Sequence, residues 1–375
     1  MKRSLQEPLL ADLRRKMVLL SGPRQVGKTF MARELMKVFS RPQYLNYDNP
    51  DDARIVDGRT WAADADFLVL DEIHKMRDWK NFLKGTVDTR PAGQALLVTG
   101  SARLDTFRQP GESLAGRYFP HHLHPLSVKE LSGQLDPAEA LRRLNRLGGF
   151  PEPFLSGSEA EAARWRNQYY SDLIREDILE FSRIQEIRSM RLLVEMLRRR
   201  VGSPLSLASL AGDLKVAPNT VRSYIDILES LNIVFAVRPF HANVARAIQK
   251  EPKIYFQDSG HVEGDEGVRL ENTVAVSLKK HVAWLRDVRG ETVGLHYVRT
   301  KEKREVDFAL VEKDSLATLI EVKLAQSAPT PGLKYLSGKF PGAKALQLVQ
   351  NLRQPQTIGS LHVVEAAGWL ASLSA

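Results

Sequence analysis

Gly22-Pro23-Arg24-Gln25-Val26-Gly27-Lys28-Thr29 completes the pattern G-x-x-x-x-G-K-[ST], directly after the apolar run Val18-Leu19-Leu20. This spacing builds a phosphate cradle. The two glycines let the backbone turn so that successive N–H groups face the phosphates of a nucleoside triphosphate. Lys28 can then reach the β and γ oxygens, and the Thr29 hydroxyl can ligate Mg²⁺. The stretch from Phe30 to Val38 predicts a helix whose positive amino end points at the same phosphates. Gly22, Pro23, Arg24, Gln25, Val26, Gly27, Lys28, Thr29 and Phe30 are therefore the expected nucleotide-binding residues, with ATP and Mg²⁺ as cofactors.

A phosphate cradle needs an acidic partner for its metal. The next strongly apolar run, Phe67-Leu68-Val69-Leu70, ends in Asp71-Glu72. A carboxylate closing a buried strand is costly unless paired or near a metal, so Asp71 is expected to hold Mg²⁺ and Glu72 to polarise the attacking water. A third strand, Ala95 to Ser101, ends in hydroxyls. The position resembles the one where ATPases of the AAA+ type place a polar residue that senses the γ-phosphate, and Thr99, in preference to Ser101, is the residue expected to do so. In Ser113-Leu114-Ala115-Gly116-Arg117-Tyr118, an Arg after Gly at this distance resembles the arginine finger that ATPases of the AAA+ type insert into a neighbouring subunit's site, the alternative being an Arg on a solvated loop. As a finger, Arg117 would make hydrolysis depend on an oligomer.

A second constellation lies in the carboxyl third. A helix opening at Gly267 and carrying Glu271 precedes strands expected at Leu295–Arg299, Val306–Val311 and Ala317–Val322. Asp307 sits just inside the second, and Glu321-Val322-Lys323 ends the third. Side chains alternate along a strand, so Glu321 and Lys323 share a face. An Asp, a Glu and a Lys at the edge of a small sheet form the set used by metal-dependent phosphodiesterases. There Asp307 and Glu321 would bind Mg²⁺ or Mn²⁺ while Lys323 orients or deprotonates water. The order of elements, completed by Leu333–Gly338 and Ala345–Val349, is that of the PD-(D/E)xK fold. This fold often persists after cleavage is lost.

The elements that must hold these residues extend over a chain of 375 residues, long enough for several cores. Alternating strands and amphipathic segments up to Pro125 predict a parallel sheet flanked by helices. Ala162 to Phe181 has helical periodicity, with Trp165, Tyr169, Leu173 and Ile174 on one face as core. Leu205 to Ala211 and Asn219 to Leu231, the latter capped by Asn219, predict two helices ahead of the strand Ile233–Val237, as in a helix-turn-helix with a wing. Arg222 and Ser223 would then face a DNA groove, although such units also dock proteins. Lys and Arg number 54 against 45 Asp and Glu, a net charge of +9 that favours a polyanionic partner and is gathered in no single tail. Cysteine is absent, which excludes disulfides and thiolate zinc sites. With neither a signal-peptide core nor an apolar stretch near eighteen residues, the expectation is a cytoplasmic protein without a membrane span.

Together these residues resemble a family of bacterial and archaeal AAA-type ATPases whose P-loop domain precedes a restriction-endonuclease-like domain of unknown function. The matching stretches are Gly22 to Thr29, Leu70-Asp71-Glu72-Ile73-His74-Lys75, Thr99-Gly100-Ser101, Gly149-Phe150-Pro151-Glu152, Gly267 with Leu270-Glu271-Asn272, Tyr297 with Arg299, Glu305-Val306-Asp307-Phe308, and Glu321-Val322-Lys323. Phe30 departs from the Thr or Ser usual after Thr29. The fold class expected is α/β: a P-loop AAA+ core (1–125), a helical lid (126–185), a winged helix-turn-helix (186–240) and a PD-(D/E)xK nuclease-like domain (241–375). The resemblance implies a nucleotide-driven homo-oligomer, a hexameric ring being one form. DNA is its implied substrate, branched recombination or repair intermediates such as Holliday junctions among the candidates. An ATP-switched protein-binding regulator and an ATP-dependent nuclease are the alternatives.

Overall fold

The computed structural model describes residues 2–100, 114–177, 184–240, 251–325 and 328–375, in two compact units, Met1–His124 and Pro125–Ala375. Ser101, Ser113 and the expected helix end near Phe181 lie outside the described residues.

Strands β1 (Met17–Ser21), β2 (Pro42–Asn46), β3 (Phe67–Asp71), β4 (Ala95–Thr99) and β5 (Tyr118–His122) form the sheet of the first unit, in the order β2-β3-β4-β1-β5. Every pairing is parallel. Strands β1, β3 and β4 are buried at all their positions, as continuous apolar runs must be when helices cover both faces of a parallel sheet. The helices are α1 (Gln6–Leu13), α2 (Lys28–Met36), α3 (Pro50–Gly58) and α4 (Trp79–Thr89). Helix α2 starts two residues earlier than its apolar periodicity suggested, because Gly27 at φ 101° supplies the left-handed turn into it. Asn49 caps α3 through the Asp51 N–H, with Pro50 at its first position.

The second unit carries α5 (Val128–Leu131), α6 (Pro137–Leu147), α7 (Pro151–Ser156), α8 (Glu159–Asp172), α9 (Ile184–Arg198), α10 (Leu207–Leu214), α11 (Pro218–Ser230), α12 (Glu266–Arg289), α13 (Pro331–Lys339) and α14 (Ala366–Ala371). Its strands are β6 (Val234–Pro239), β7 (Lys253–Phe256), β8 (Val293–Arg299), β9 (Glu305–Glu312), β10 (Ser315–Lys323), β11 (Lys344–Val349), β12 (Gln356–Ile358) and β13 (Leu361–Glu365). They join in the order β12-β13-β11-β10-β9-β8-β6-β7, so segments 186–240 and 241–375 contribute to one sheet. Trp165, Tyr169, Leu173 and Ile174 are all buried, and Phe150 packs on both Trp165 and Tyr169. Helix α10 is capped by Ser206 and stopped by Lys215 in the left-handed region. Asn219 does not cap α11. The cap position is Ala217, and Pro218 takes the first helical position, where its missing N–H costs nothing.

One polar lock fixes the loop after α6. The buried Arg166 Nε lies 2.7 Å from Oδ2 of the fully buried Asp258, and its Nη2 donates to the Leu147 carbonyl. A Cβ on Gly148 would collide with Asp258, and one on Gly260 with Arg166, so only glycine admits this pair. Among the described residues, no helix is long and apolar enough to cross a membrane.

Candidate functional site

The carboxyl ends of β1, β3 and β4 bring the expected phosphate site together. Gly22 (φ 146°) takes a conformation that side chains avoid, and a Cβ there would fall on the Leu123 carbonyl. Gln25 and Gly27 also have positive φ, so the loop wraps back before α2 begins. Arg3, unsuspected from sequence, braces this loop from below. Its buried guanidinium donates to the carbonyls of Val26 (3.1 Å) and His124. Phe30 points outward, with half its surface exposed.

Lys28 Nζ donates to the carbonyls of Gly22 (3.0 Å) and Pro23 (2.7 Å). Burial lowers its ammonium to about 8, against the opposing pull of Glu72 and Asp71. The buried Asp71 carboxylate collects three hydroxyls: Thr29 Oγ1 at 2.9 Å and Tyr44 OH at 2.6 Å on Oδ2, and Thr99 Oγ1 on Oδ1. Adjacency of β3 to β4, with Asp71 opposite Thr99, makes the last contact possible. Tyr44, on β2, was not singled out in the sequence, since one tyrosine in a half-buried strand carries no spacing signal. Burial and the bond to Asp71 push its phenol up. Glu72 stands in the left-handed region at φ 56°, with its N–H paired to the Thr99 carbonyl. Burial holds its carboxyl above the usual carboxylate value, and Oε2 lies 3.5 Å from His74 Nδ1.

This donor set fits a magnesium nucleotide. A hydroxyl and a carboxylate oxygen in contact are the two protein ligands such a cation needs, and an ammonium partly stripped of water favours phosphate as its counter-ion. Arg117 lies elsewhere. It precedes Tyr118, which pairs with Met17, so it sits at the opposite end of β1 from the phosphate loop, about 15 Å away at ~3.3 Å per residue. There it is held by Asp88 through two bonds of 2.8 and 3.0 Å.

In the second unit, Glu271 (α12), Asp307 (β9) and Glu321 and Lys323 (β10) lie close together. Lys323 Nζ is 2.8 Å from Glu321 Oε1, and Asp307 Oδ2 accepts the Val322 N–H at 2.9 Å. Burial, then the charge of Asp307, raises Glu271 to about 8 and Glu321 to about 7. Two further residues join them. Lys253, 1% exposed on β7, places Nζ 2.7 Å from Glu305 Oε1, 3.7 Å from Asp307 Oδ1 and 3.8 Å from Glu271 Oε1. Burial pulls this ammonium down, but Asp307, Glu271 and Glu305 outweigh it and hold it above its usual value. The one available signal was a lysine opening the otherwise apolar Ile254-Tyr255-Phe256. The expected Mg²⁺ or Mn²⁺ does not fit this set: a lysine ammonium already stands among its carboxylates. Among the described residues, no cluster of three or more His, Asp or Glu is arranged to hold a metal ion.

A family model described as AAA domain matches residues 14–132, over this first site. The fold and site of the first unit are thus those of an AAA-type, nucleotide-hydrolysing P-loop ATPase. Two models described as domains of unknown function, DUF8612 and DUF4143, match residues 138–263 and 266–367. The uncharacterized protein Rv2008c of Mycobacterium tuberculosis is 30% identical over 303 residues, 78% of this chain and 67% of the relative. Mb2031c of Mycobacterium bovis matches with the same figures. The uncharacterized protein MJ1637 of Methanocaldococcus jannaschii is 23% identical over 297 residues, 65% of this chain and 61% of the relative. The chain belongs to the family of these uncharacterized mycobacterial proteins. Among solved structures, the Walker-type ATPase PABY2304 of Pyrococcus abyssi is similar at a TM-score of 0.45 and 14% identity, over 72% of this chain and 95% of that one. RuvB of Thermotoga maritima follows at 0.28 and 18%, over 63% and 89%. Likeness of this degree has no bearing on the reaction or its substrate.

Proposed function

We propose that the chain is an ATP-driven machine that binds DNA and remodels it or translocates on it. The observation that carries its ATPase half is the convergence of Thr29, Thr99 and Tyr44 on Asp71 beside the buried Lys28. In this reading Lys28 and the loop N–H groups hold the β and γ phosphates, and Thr29 and Asp71 hold Mg²⁺. Held there, Mg²⁺ would supply charge neutralisation for the transferred phosphoryl group. Glu72, with its raised carboxyl, accepts a proton from the attacking water; Thr99 reports the γ-phosphate through Asp71. Arg117 serves a neighbouring subunit in a homo-oligomer, exchanging Asp88 for phosphate when it does so.

The DNA half rests on the net charge of +9 and on α11, whose outer face exposes Asn219, Arg222 and Ser223 at its amino end. Helices α10 and α11 with strands β6 and β7 are read as a winged helix-turn-helix, and α12 with β8 to β11 as a PD-(D/E)xK-like fold that grips rather than cuts. One observation favours a second reading, a protein-docking regulator: Asp226 is exposed one turn beyond Arg222 and cancels its charge. ATPase rates measured alone and with single-stranded, duplex and four-way-junction DNA test the choice. The proposal expects stimulation by at least one DNA form and an affinity falling with salt, with a log–log slope near −0.9 per duplex phosphate contacted. No DNA affinity at low salt would leave the docking reading.

A further inference from the structure

We propose that Lys253 is a built-in cation that occupies the metal position of the Glu271–Glu305–Asp307–Glu321 cluster, so that the nuclease-like part of this chain works without a divalent ion and does not cleave. The proposal rests on the nuclease-like reading only for the reason a metal would be sought there.

The lysine cannot swing aside. Its backbone is paired on one side with Val237 of β6 and on the other with Pro204, and the neighbouring Pro252 carbonyl accepts the Leu205 N–H at 2.8 Å. Its side chain is sealed from solvent, with the Tyr297 ring 5.4 Å from the ammonium. From that position Nζ lies within 3.8 Å of three carboxylates on two different elements, α12 and β9, the arrangement a bridging cation would adopt.

These carboxylates have other partners as well. Glu271 Oε1 accepts the Tyr255 hydroxyl at 2.7 Å, Asp307 Oδ2 accepts the Val322 N–H, and Arg299 Nε lies 3.5 Å from Glu305 Oε2. Four carboxylates thus face Lys253, Lys323 and Arg299, and little negative charge is left to attract a cation. Only Glu321 Oε2, among the described buried atoms of these carboxylates, lacks a hydrogen-bond partner. Mg²⁺ usually takes one or two carboxylates and keeps water for the rest of its shell, and here the Glu271 and Asp307 oxygens that would serve already face the Lys253 ammonium. A divalent ion bound to Asp307 Oδ1 would stand close to a fixed ammonium, and like charges at ~4 Å in a buried setting repel strongly. Gly202, at φ 75°, packs directly against the Glu271 carboxylate, which a Cβ there would strike.

The test is a titration of the full chain with Mn²⁺ alone, without nucleotide, following free Mn²⁺ by its paramagnetic resonance signal. Wild type and Asp307→Asn should give the same isotherm within ~2-fold, since the asparagine oxygen can still accept the Val322 N–H and no Mn²⁺ depends on Asp307. Lys253→Met should gain one site that is at least ~10-fold tighter and that disappears when Asp307→Asn is added, whereas Lys253→Arg should remain like wild type. A wild-type site lost in Asp307→Asn would overturn the proposal, as would a folded Lys253→Met protein with no new site. If Lys253→Met folds only when Mn²⁺ is present, the proposal stands. If it folds under neither condition, the wild-type and Asp307→Asn comparison decides alone. Because no DNA enters the measurement, its failure is separate from failure of the DNA-binding reading.

Discussion

The pH dependence of nucleotide affinity tests the buried ammonium of Lys28 directly. In the free protein burial lowers this group from 10.5 to about 8. Phosphate oxygens that replace the Gly22 and Pro23 carbonyls as its partners should return it to its ordinary range, because opposite charge favours the protonated form. A return to 10.5 is a change of about 2.5 units, worth about 3 kcal/mol of coupling between proton and nucleotide at 1.36 kcal/mol per unit. The sign follows. Binding raises the group, so affinity is full below the free-protein value and is lost as pH rises through it, until the bound-state value is reached. With a non-hydrolysable ATP analogue and saturating Mg²⁺, Kd should be nearly flat from pH 7 to 7.5 and weaken about tenfold by pH 9. Phosphate ionisation changes little over this window, being about nine-tenths complete at pH 7 for a second pKa near ~6. Lys28→Arg is the control, since a guanidinium stays charged throughout and should give a flat profile even if binding is weaker. A flat wild-type profile, or the same tenfold loss in Lys28→Arg, would refute the reasoning.

Glu72→Gln should bind ATP as well as wild type and hydrolyse it at least ~10²-fold more slowly in a steady-state phosphate-release assay, since the amide cannot take the proton from water; an unchanged rate ends the assignment. Arg117→Ala should keep ATP binding and lose up to ~10³-fold in hydrolysis. Mixing it with Lys28→Ala protein, which retains its own Arg117, should restore activity under subunit exchange, and no rescue would remove the case for action between subunits. Arg166→Met should lower stability by ~3–5 kcal/mol in a denaturant titration, because it strands the fully buried Asp258. A loss below ~1 kcal/mol would mean that Asp258 is already neutral in the fold.

The phosphate loop was legible because all its working parts are neighbours in the chain. Glycines at 22 and 27, Lys28 and Thr29 are set by local backbone geometry, and the apolar runs ending at Ser21, Asp71 and Thr99 announce strands whose carboxyl ends must lie side by side in a parallel sheet. Asp307, Glu321 and Lys323 were legible for a similar reason, since alternation on two adjacent strands puts their side chains on one face. The partners supplied from distant strands were not. Tyr44 reaches Asp71 only because β2 lies beside β3, Arg3 reaches the loop from the chain start, and Arg117 meets Asp88 across a surface no spacing describes. Lys253 marks the limit most clearly. A lysine in an apolar strand has no periodic signature of its role, and whether its charge is matched by carboxylates, water or a ligand depends on which elements pack around it. The sequence by itself determined which residues could hold a phosphate or a metal. Only the tertiary structure decided that the second set of carboxylates already holds an ammonium, because burial makes the nearest fixed charge the dominant one.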